Sequence, residues 1–324
     1  MESNKIIKKS VDLPAPPKDW PELNKKQLFE IHRLLNSGLT LPEYKLKVFL
    51  MLMDLKILKR AEKKDDGSFI YKFRRKGLRA WLRREELSME AWEVDYWIEQ
   101  FLGFLDQPFT MPSLPFEYIR VHGRKFMAPQ VLMANITYEQ YGNMQKYLMS
   151  YWQLSKVAES MLKNGATRKA VKQMQKQVLE ARAGFLSHAY ISRSFRLLDQ
   201  SHEMTRLRPT WVYAYDSEAA ERCKRLFIPA PDYLFDITYQ HFQSCQSFYK
   251  REYKFLFKEY QDESDKSAFI MEAETINAVM KYAGGYNRQQ EVYDSNTVFI
   301  FGFLNSMAHE ADEIDKMNKK IKAK

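Results

Sequence analysis

The chain has 324 residues, with 51 Lys and Arg against 41 Asp and Glu, and carries a formal charge of +10. With 45% hydrophobic and 28% charged residues it has a globular composition, which excludes collagen-like, disulfide-scaffold and low-complexity classes. Its longest apolar runs, Val48 to Met53 and Val298 to Leu304, fall far short of the ~20 residues that a membrane-spanning helix needs, so no membrane partner is expected.

The first nine residues are charged and lead into Pro14, Pro16 and Pro17 without the apolar stretch of a signal peptide, so a cytoplasmic protein is expected. Proline fixes φ and blocks helix formation, which makes residues 1–19 an extended arm. From Trp20 the apolar positions Leu23, Leu28, Ile31, Leu34 and Leu35 recur with helical spacing until Gly38. Thr40 before Pro42 opens a second helix, which buries Leu46, Phe49, Leu50 and Met53. Asp65-Asp66-Gly67 is then a turn signal, and the alternation of Phe69, Tyr71 and Phe73 predicts a β-hairpin near 57–74. A short basic helix follows around Arg75–Arg84. After Ser88, Trp92, Tyr96, Trp97, Phe101, Phe104 and Leu105 recur with helical spacing, an aromatic stripe expected to face the core.

Pro108, Pro112 and Pro115 mark a boundary. Phe116 to Val121 turning at His122-Gly123 into Arg124-Lys125-Phe126-Met127 predicts a second hairpin near 116–127. Helices resume at the capping signal Asn135-Ile136-Thr137, and the longest is expected near Thr167, with Val171, Met174, Val178, Phe185 and Leu186 inward. Pro229-Ala230-Pro231 introduces a last set of helices over 237–262, 266–283 and 294–318, ending in a lysine-rich tail. The expected fold is mainly α, several helical modules with two short β-hairpins. Its parts are the arm at 1–19, a module with a basic hairpin at 20–110, a module opened by a hairpin at 111–226, and a module with the Lys-rich tail at 227–324.

An internal similarity points to a duplication. Residues Phe126 to Tyr147 and Phe227 to Phe248 align without a gap at an offset of 101, pairing Asn135-Ile136-Thr137-Tyr138 with Asp236-Ile237-Thr238-Tyr239, Tyr141 with Phe242 and Gln145 with Gln246. Read physically, Asn or Asp would cap a helix in both copies, and the following Ile and aromatics would share one face. The alternative is that two proline-then-helix starts look alike.

Motifs with sharp chemistry are missing. The two cysteines, Cys223 and Cys245, cannot make a Cys-rich zinc site, and the six histidines form neither a His-x-x-x-His pair nor His-Glu-x-x-His. His309 with Glu310, Asp312 and Glu313 runs around a helix and reads as solvated surface. No Gly-x-x-x-x-Gly-Lys-Ser/Thr, Gly-x-Gly-x-x-Gly or Gly-x-Ser-x-Gly occurs. Gly284-Gly285 reads as a helix end followed by a turn. No catalytic residue, metal site or cofactor is therefore assigned, and the chain is read as not an enzyme; an enzyme with a convergent site is a third reading.

The charge is local. Residues 56–84 hold twelve basic side chains against three acidic ones, a net +9. Lys72, Arg74, Arg75, Lys76, Arg79, Arg83 and Arg84 are the candidate binding residues, for nucleic acid or for an anionic protein partner. The same pattern also fits a solvated face flanked by core aromatics. In outline a basic hairpin after helices resembles the wing of a winged-helix DNA binder, without a clear recognition helix.

Leu13-Pro14 with Trp20-Pro21-Glu22-Leu23 and Gln27-Leu28, Ser113-Leu114-Pro115-Phe116, Gly123 to Pro129, and Asn135 to Tyr141 together resemble uncharacterised proteins encoded by prophages and related mobile elements of Bacteroidota, among tail and virion-assembly genes. The opening is also similar to the start of many phage tail-assembly chaperones. The resemblance implies an assembly or scaffolding role rather than catalysis and brings no functional residue with it. The expectation is a non-enzymatic phage or prophage assembly protein, a chaperone or minor structural component acting through protein–protein contacts. It would work in the host cytoplasm or in the virion, with other assembly proteins or a second copy of itself as partners. The alternative is a nucleic-acid-binding protein that uses the 56–84 region.

Overall fold

A computed structural model of the chain describes Ala15, Pro17 and residues 18–63, 69–76, 86–107, 109–192, 215–257 and 289–322. The fold is mainly α, with nine helices and two three-stranded antiparallel sheets among the described residues. The chain divides into two compact units, Met1–Thr110 and Met111–Lys324.

In unit 1 a 3-10 turn over Trp20–Glu22 precedes α1 (Lys25–Leu35) and α2 (Leu41–Leu52). Both helices start where the sequence satisfies free N–H groups. Asn24 and Gln27 exchange hydrogen bonds of 3.0 Å in a capping box, and Glu43 accepts from the Thr40 backbone at 3.1 Å. Because of the cap at Asn24, the helix expected from Trp20 begins only at Lys25. Asp54, at φ 53°, turns the chain from α2 into β1 (Leu55–Lys63), in the left-handed conformation that Asp tolerates better than most residues. β1 pairs with β2 (Phe69–Arg75), the expected hairpin, and β2 pairs with β3 (Glu86–Glu90), a strand that was not expected. Arg75 closes β2 rather than opening a helix, and the rest of the expected basic helix, 77–85, lies outside the described residues. α3 (Ala91–Leu102) and a 3-10 turn over Gly103–Asp106 complete the unit. The core gathers Leu28, Ile31, Val48, Phe49, Met53, Phe73, Val94 and Leu102, each at most 1% exposed. Burying a side chain of this size stabilises by about 2 kcal/mol.

Unit 2 opens with the expected hairpin, β4 (Tyr118–Val121) and β5 (Arg124–Met127). His122 and Gly123 have φ of 48° and 77°, the two positive values that a tight two-residue hairpin turn requires, and Gly123 adopts this conformation at no steric cost. A two-residue strand, β6 (Ile191–Ser192), adds to β5. The helices are α4 (Tyr138–Lys163), α5 (Arg168–Ala189), α6 (Ser217–Phe227), α7 (Asp232–Glu252), α8 (Gln289–Asp294) and α9 (Thr297–Lys322). α4 and α9, at 26 residues each, are longer than α5, the helix expected to be longest. α7 starts earlier and ends sooner than the expected 237–262, and the expected helix at 266–283 and the Gly284-Gly285 turn lie outside the described residues.

α4 and α5 pack so closely that a Cβ on Gly184 would lie 2.3 Å from the Tyr147 ring. Arg182, buried on α5, donates to the Ala230 carbonyl at 2.8 Å and pairs with Asp232, which fastens the Pro229–Pro231 corner between α6 and α7. The segment from Ala128 to Thr137 is also pinned from afar. Leu132 and Met133 hold consecutive left-handed conformations at φ 52° and 53°. Tyr249 donates to the Leu132 carbonyl, Asn296 to that of Ala134, and Tyr138 N–H to Ser295 O at 2.8 Å.

The two segments related by 101 residues differ locally. Thr137 caps α4, whereas α7 starts after Pro231 and encloses Asp236, so Asn135 and Asp236 are not equivalent caps. Asn135 instead accepts from Gln130 N–H at 2.7 Å. Two aligned pairs nonetheless touch: Phe126 and Phe227 at 5.0 Å between ring centroids, and Tyr141 and Phe242 at 5.3 Å.

Candidate functional site

In unit 1 the strand alternation sorts β2 into two faces. Phe73 is buried between Ile57 of β1 and Leu87 of β3, its registered neighbours, against the helices. Lys72 and Arg74 lie on the other face and are half-buried; Lys56, exposed, is registered opposite Arg74. Of the candidate binding residues the structure thus brings Lys72 and Arg74 together and adds Lys56. Arg75 sits on the Phe73 side of the strand, and Lys76 is exposed just beyond it, its N–H donating to Asp54 O at 2.8 Å. Arg79, Arg83 and Arg84 lie outside the described residues.

Acidic positions are registered across from the basic face. β3 registers Glu86 opposite Arg74 and Glu90 opposite Ile70. Lys76 also lies close enough to Glu30 to help hold its carboxyl below the usual range, an effect led by a hydrogen bond from Arg33. Phe69, at the start of β2, is exposed.

The second feature of unit 1 is α3, whose aromatics at Trp92 and Tyr96 are not on the core face that their spacing suggested, although Phe104, just beyond the helix, is buried against Trp20 at 5.2 Å. Val94, Ile98 and Leu102 are the buried residues. Trp92 and Tyr96 point to solvent at 63% and 51% exposure. Trp92 Nε1 donates to Glu90 at 2.8 Å, and the half-buried Trp97 continues the surface, edge-on to Tyr96 at 5.4 Å and stacked on Phe101 at 4.9 Å. The signal that could have found this is the aliphatic series Val94, Ile98, Leu102, which occupies the opposite side of the same helix.

Unit 2 holds a cluster of titratable groups that the sequence did not single out. His188, buried at the end of α5, has Nδ1 against the Tyr215 hydroxyl and Nε2 3.2 Å from Glu221 of α6. Tyr147 of α4 donates to Glu221, Lys224 donates to Glu221 at 2.9 Å, and Asn143 donates to Tyr215 at 3.0 Å. Burial works against the Glu221 carboxylate, yet hydrogen bonds from Tyr147, Lys224 and His188 hold its pKa down to about 2. Burial lowers the His188 pKa, so the ring is neutral: Nε2–H donates to Glu221 and Nδ1 accepts from Tyr215. Both ring nitrogens are thereby committed, and the chemistry of the cluster is to tie α4, α5 and α6 together.

The cysteines are free; Cys223 is half-buried, and Cys245 is buried, which pushes its thiol up to about 12. Among the described residues no group of three or more His, Cys, Asp and Glu side chains could hold a metal ion, and no helix is long and apolar enough to cross a membrane. No protein-family model, curated protein or solved structure matches the chain.

Proposed function

We propose that this chain is a non-enzymatic assembly protein that acts through protein–protein contacts, as a chaperone or minor structural component of a phage or prophage. The exposed aromatic side of α3 carries this reading. Large aromatics left in water are costly and are enriched at the centres of protein interfaces. In the same unit Lys72 and Arg74 are registered against Ser88 and Glu86, an arrangement that suits a protein surface of mixed sign better than a uniformly anionic one. The resemblance to prophage proteins supplies the setting, the host cytoplasm or the virion. The test is co-purification from cells carrying the whole element: a virion-assembly protein of that element is recovered with the wild type and lost with Trp92→Ala/Tyr96→Ala. Recovery of no such protein, or equal recovery by the variant, overturns the proposal.

A nucleic-acid reading is favoured by the clustering of Lys56, Lys72 and Arg74 on one sheet face. It requires binding that weakens steeply with salt and is abolished by neutralising Arg74, Arg75 and Lys76. Salt-insensitive or absent binding rejects it.

A further inference from the structure

α9 changes character along its length. Its first half buries Ile300, Phe301 and Leu304 in unit 2. From Glu310 to Ile321 every residue but Asp312 is exposed, so among the described residues this half of the helix is largely uncovered on every side. Three large apolar side chains nevertheless share one face there. Ile314, Met317 and Ile321, spaced by three and four, are 59%, 62% and 71% exposed. A segment of this length gains little stability in water from its own hydrogen bonds, so an apolar stripe along it calls for a partner.

The charges say which partner. Glu310, Asp312, Glu313 and Asp315 form an acidic block with no base inside it; Lys316, Lys319, Lys320 and Lys322 follow as a basic block with no acid. Such a helix is complementary to itself only when reversed. We propose that the second half of α9 pairs antiparallel with the same segment of a second copy of this chain, across a two-fold axis between Ile314 and Met317.

In this pairing Ile314 packs on Met317 of the second copy, and the reverse contact follows by symmetry. With Ile314 and Met317 as the seam, Glu313 and Lys320 occupy the flanking positions one heptad apart, and antiparallel packing sets Glu313 of each copy beside Lys320 of the other. A parallel pair would lay the acidic blocks side by side and the lysines side by side, which is repulsive. The contacts within the helix, Lys316 to Asp312 at 2.6 Å and His309 Nε2 to Glu313 at 3.8 Å, stabilise α9 itself and leave the apolar stripe without a role. The inference is independent of the phage setting, since it needs only this chain.

The experiment is sedimentation equilibrium of the full chain from about 1 to about 300 µM, because a contact this short gives a weak, concentration-dependent dimer. The wild type is expected to dimerise in that range, and Ile314→Ser/Met317→Ser, which alters only exposed positions, to remain a folded monomer by circular dichroism. Glu313→Lys and Lys320→Glu are each expected to weaken the dimer roughly ten-fold, and mixing the two variants, or combining them in one chain, to restore it. A wild type that is monomeric throughout overturns the proposal. So does a dimer indifferent to the Ser variant, or one that the charge reversals leave unchanged or strengthen, strengthening being the mark of a parallel pair. Binding of the monomer to anionic phospholipid vesicles, abolished by the Ser variant, with no dimer in solution, would assign the stripe to a membrane surface instead.

Discussion

α3 in unit 1 and α7 in unit 2 both carry aromatic side chains at helical spacing, and the two helices place them on opposite sides of the solvent boundary. Phe235, Phe242 and Tyr249 of α7 recur every seven residues and are at most 4% exposed, with Phe242 against Tyr141 and Phe185. Trp92 and Tyr96 of α3 face water. What differs is the rest of each helix. α3 has an aliphatic series, Val94, Ile98 and Leu102, which fills the core beneath the sheet; the positions that α7 turns inward hold few aliphatic residues, so its aromatics do the packing. An aromatic stripe therefore identifies a buried face only where no aliphatic stripe competes for the core.

The sharpest way to break this contrast is truncation in α7. Phe242→Ala is expected to destabilise unit 2 by about 3–5 kcal/mol, read as a fall in the urea midpoint at unchanged slope. A loss below about 1 kcal/mol would mean that the α7 ladder is not the core that its burial indicates.

The units also differ in how they hold a buried histidine. His32 of unit 1, 1% exposed among Trp20 and Phe109, has no hydrogen-bond partner among the described residues; His241 of unit 2 bonds to the Met111 carbonyl at 2.7 Å. Burial lowers both pKa values to about 4. The unfolded chain takes up these protons first, near pH 6.5, so the stability tied to each neutral ring is complete above that pH. It is lost as pH falls from about 6.5 towards 4, by on the order of 3 kcal/mol per histidine. His32→Phe should flatten the acid limb at little cost near pH 7. His241→Phe should flatten it too, but at the expense of about 1 kcal/mol, because the Met111 carbonyl loses its donor. Equal behaviour of the two variants would erase the distinction.

Gly184→Ala probes the closeness of α4 and α5, since the added methyl meets the Tyr147 ring that stacks on His188 at 5.1 Å. A loss of about 1–3 kcal/mol is expected by thermal unfolding, with Glu221 released from Tyr147. The smallest effect belongs to Trp92→Ala, whose stability should stay within about 0.5 kcal/mol of the wild type. A larger loss would place that indole in the core after all.

Local chemistry was readable in the sequence. Thr40 with Pro42 announces α2, and His122-Gly123 sets the β4–β5 register residue for residue. What escaped depends on partners distant in sequence. Glu86–Glu90 alternates over only five residues and is a strand because β2 offers it an edge; Ile191–Ser192 is a strand only beside β5. The same holds for the candidate site. Alternation sets Lys72 and Arg74 opposite Phe73, but the acidic positions registered across from that strand face, Glu86 and Glu90, arrive with β3. The repeat was visible as spacing, whereas the contact of Tyr141 with Phe242 and the loss of the cap at Asp236 are settled by packing.

The pinned segment from Ala128 to Thr137 bears on how fast unit 2 folds. Its left-handed Leu132 and Met133 are held by Tyr249, 117 residues away, and its neighbour Ala134 by Asn296, 162 residues away. Neither bond can form until most of the unit has been gathered, and the entropy of closing such long loops must be met first. The start of α4, though among the first parts of unit 2 to be synthesised, is therefore among the last to lock, and a nascent chain has to emerge past Asn296 before this segment is secured.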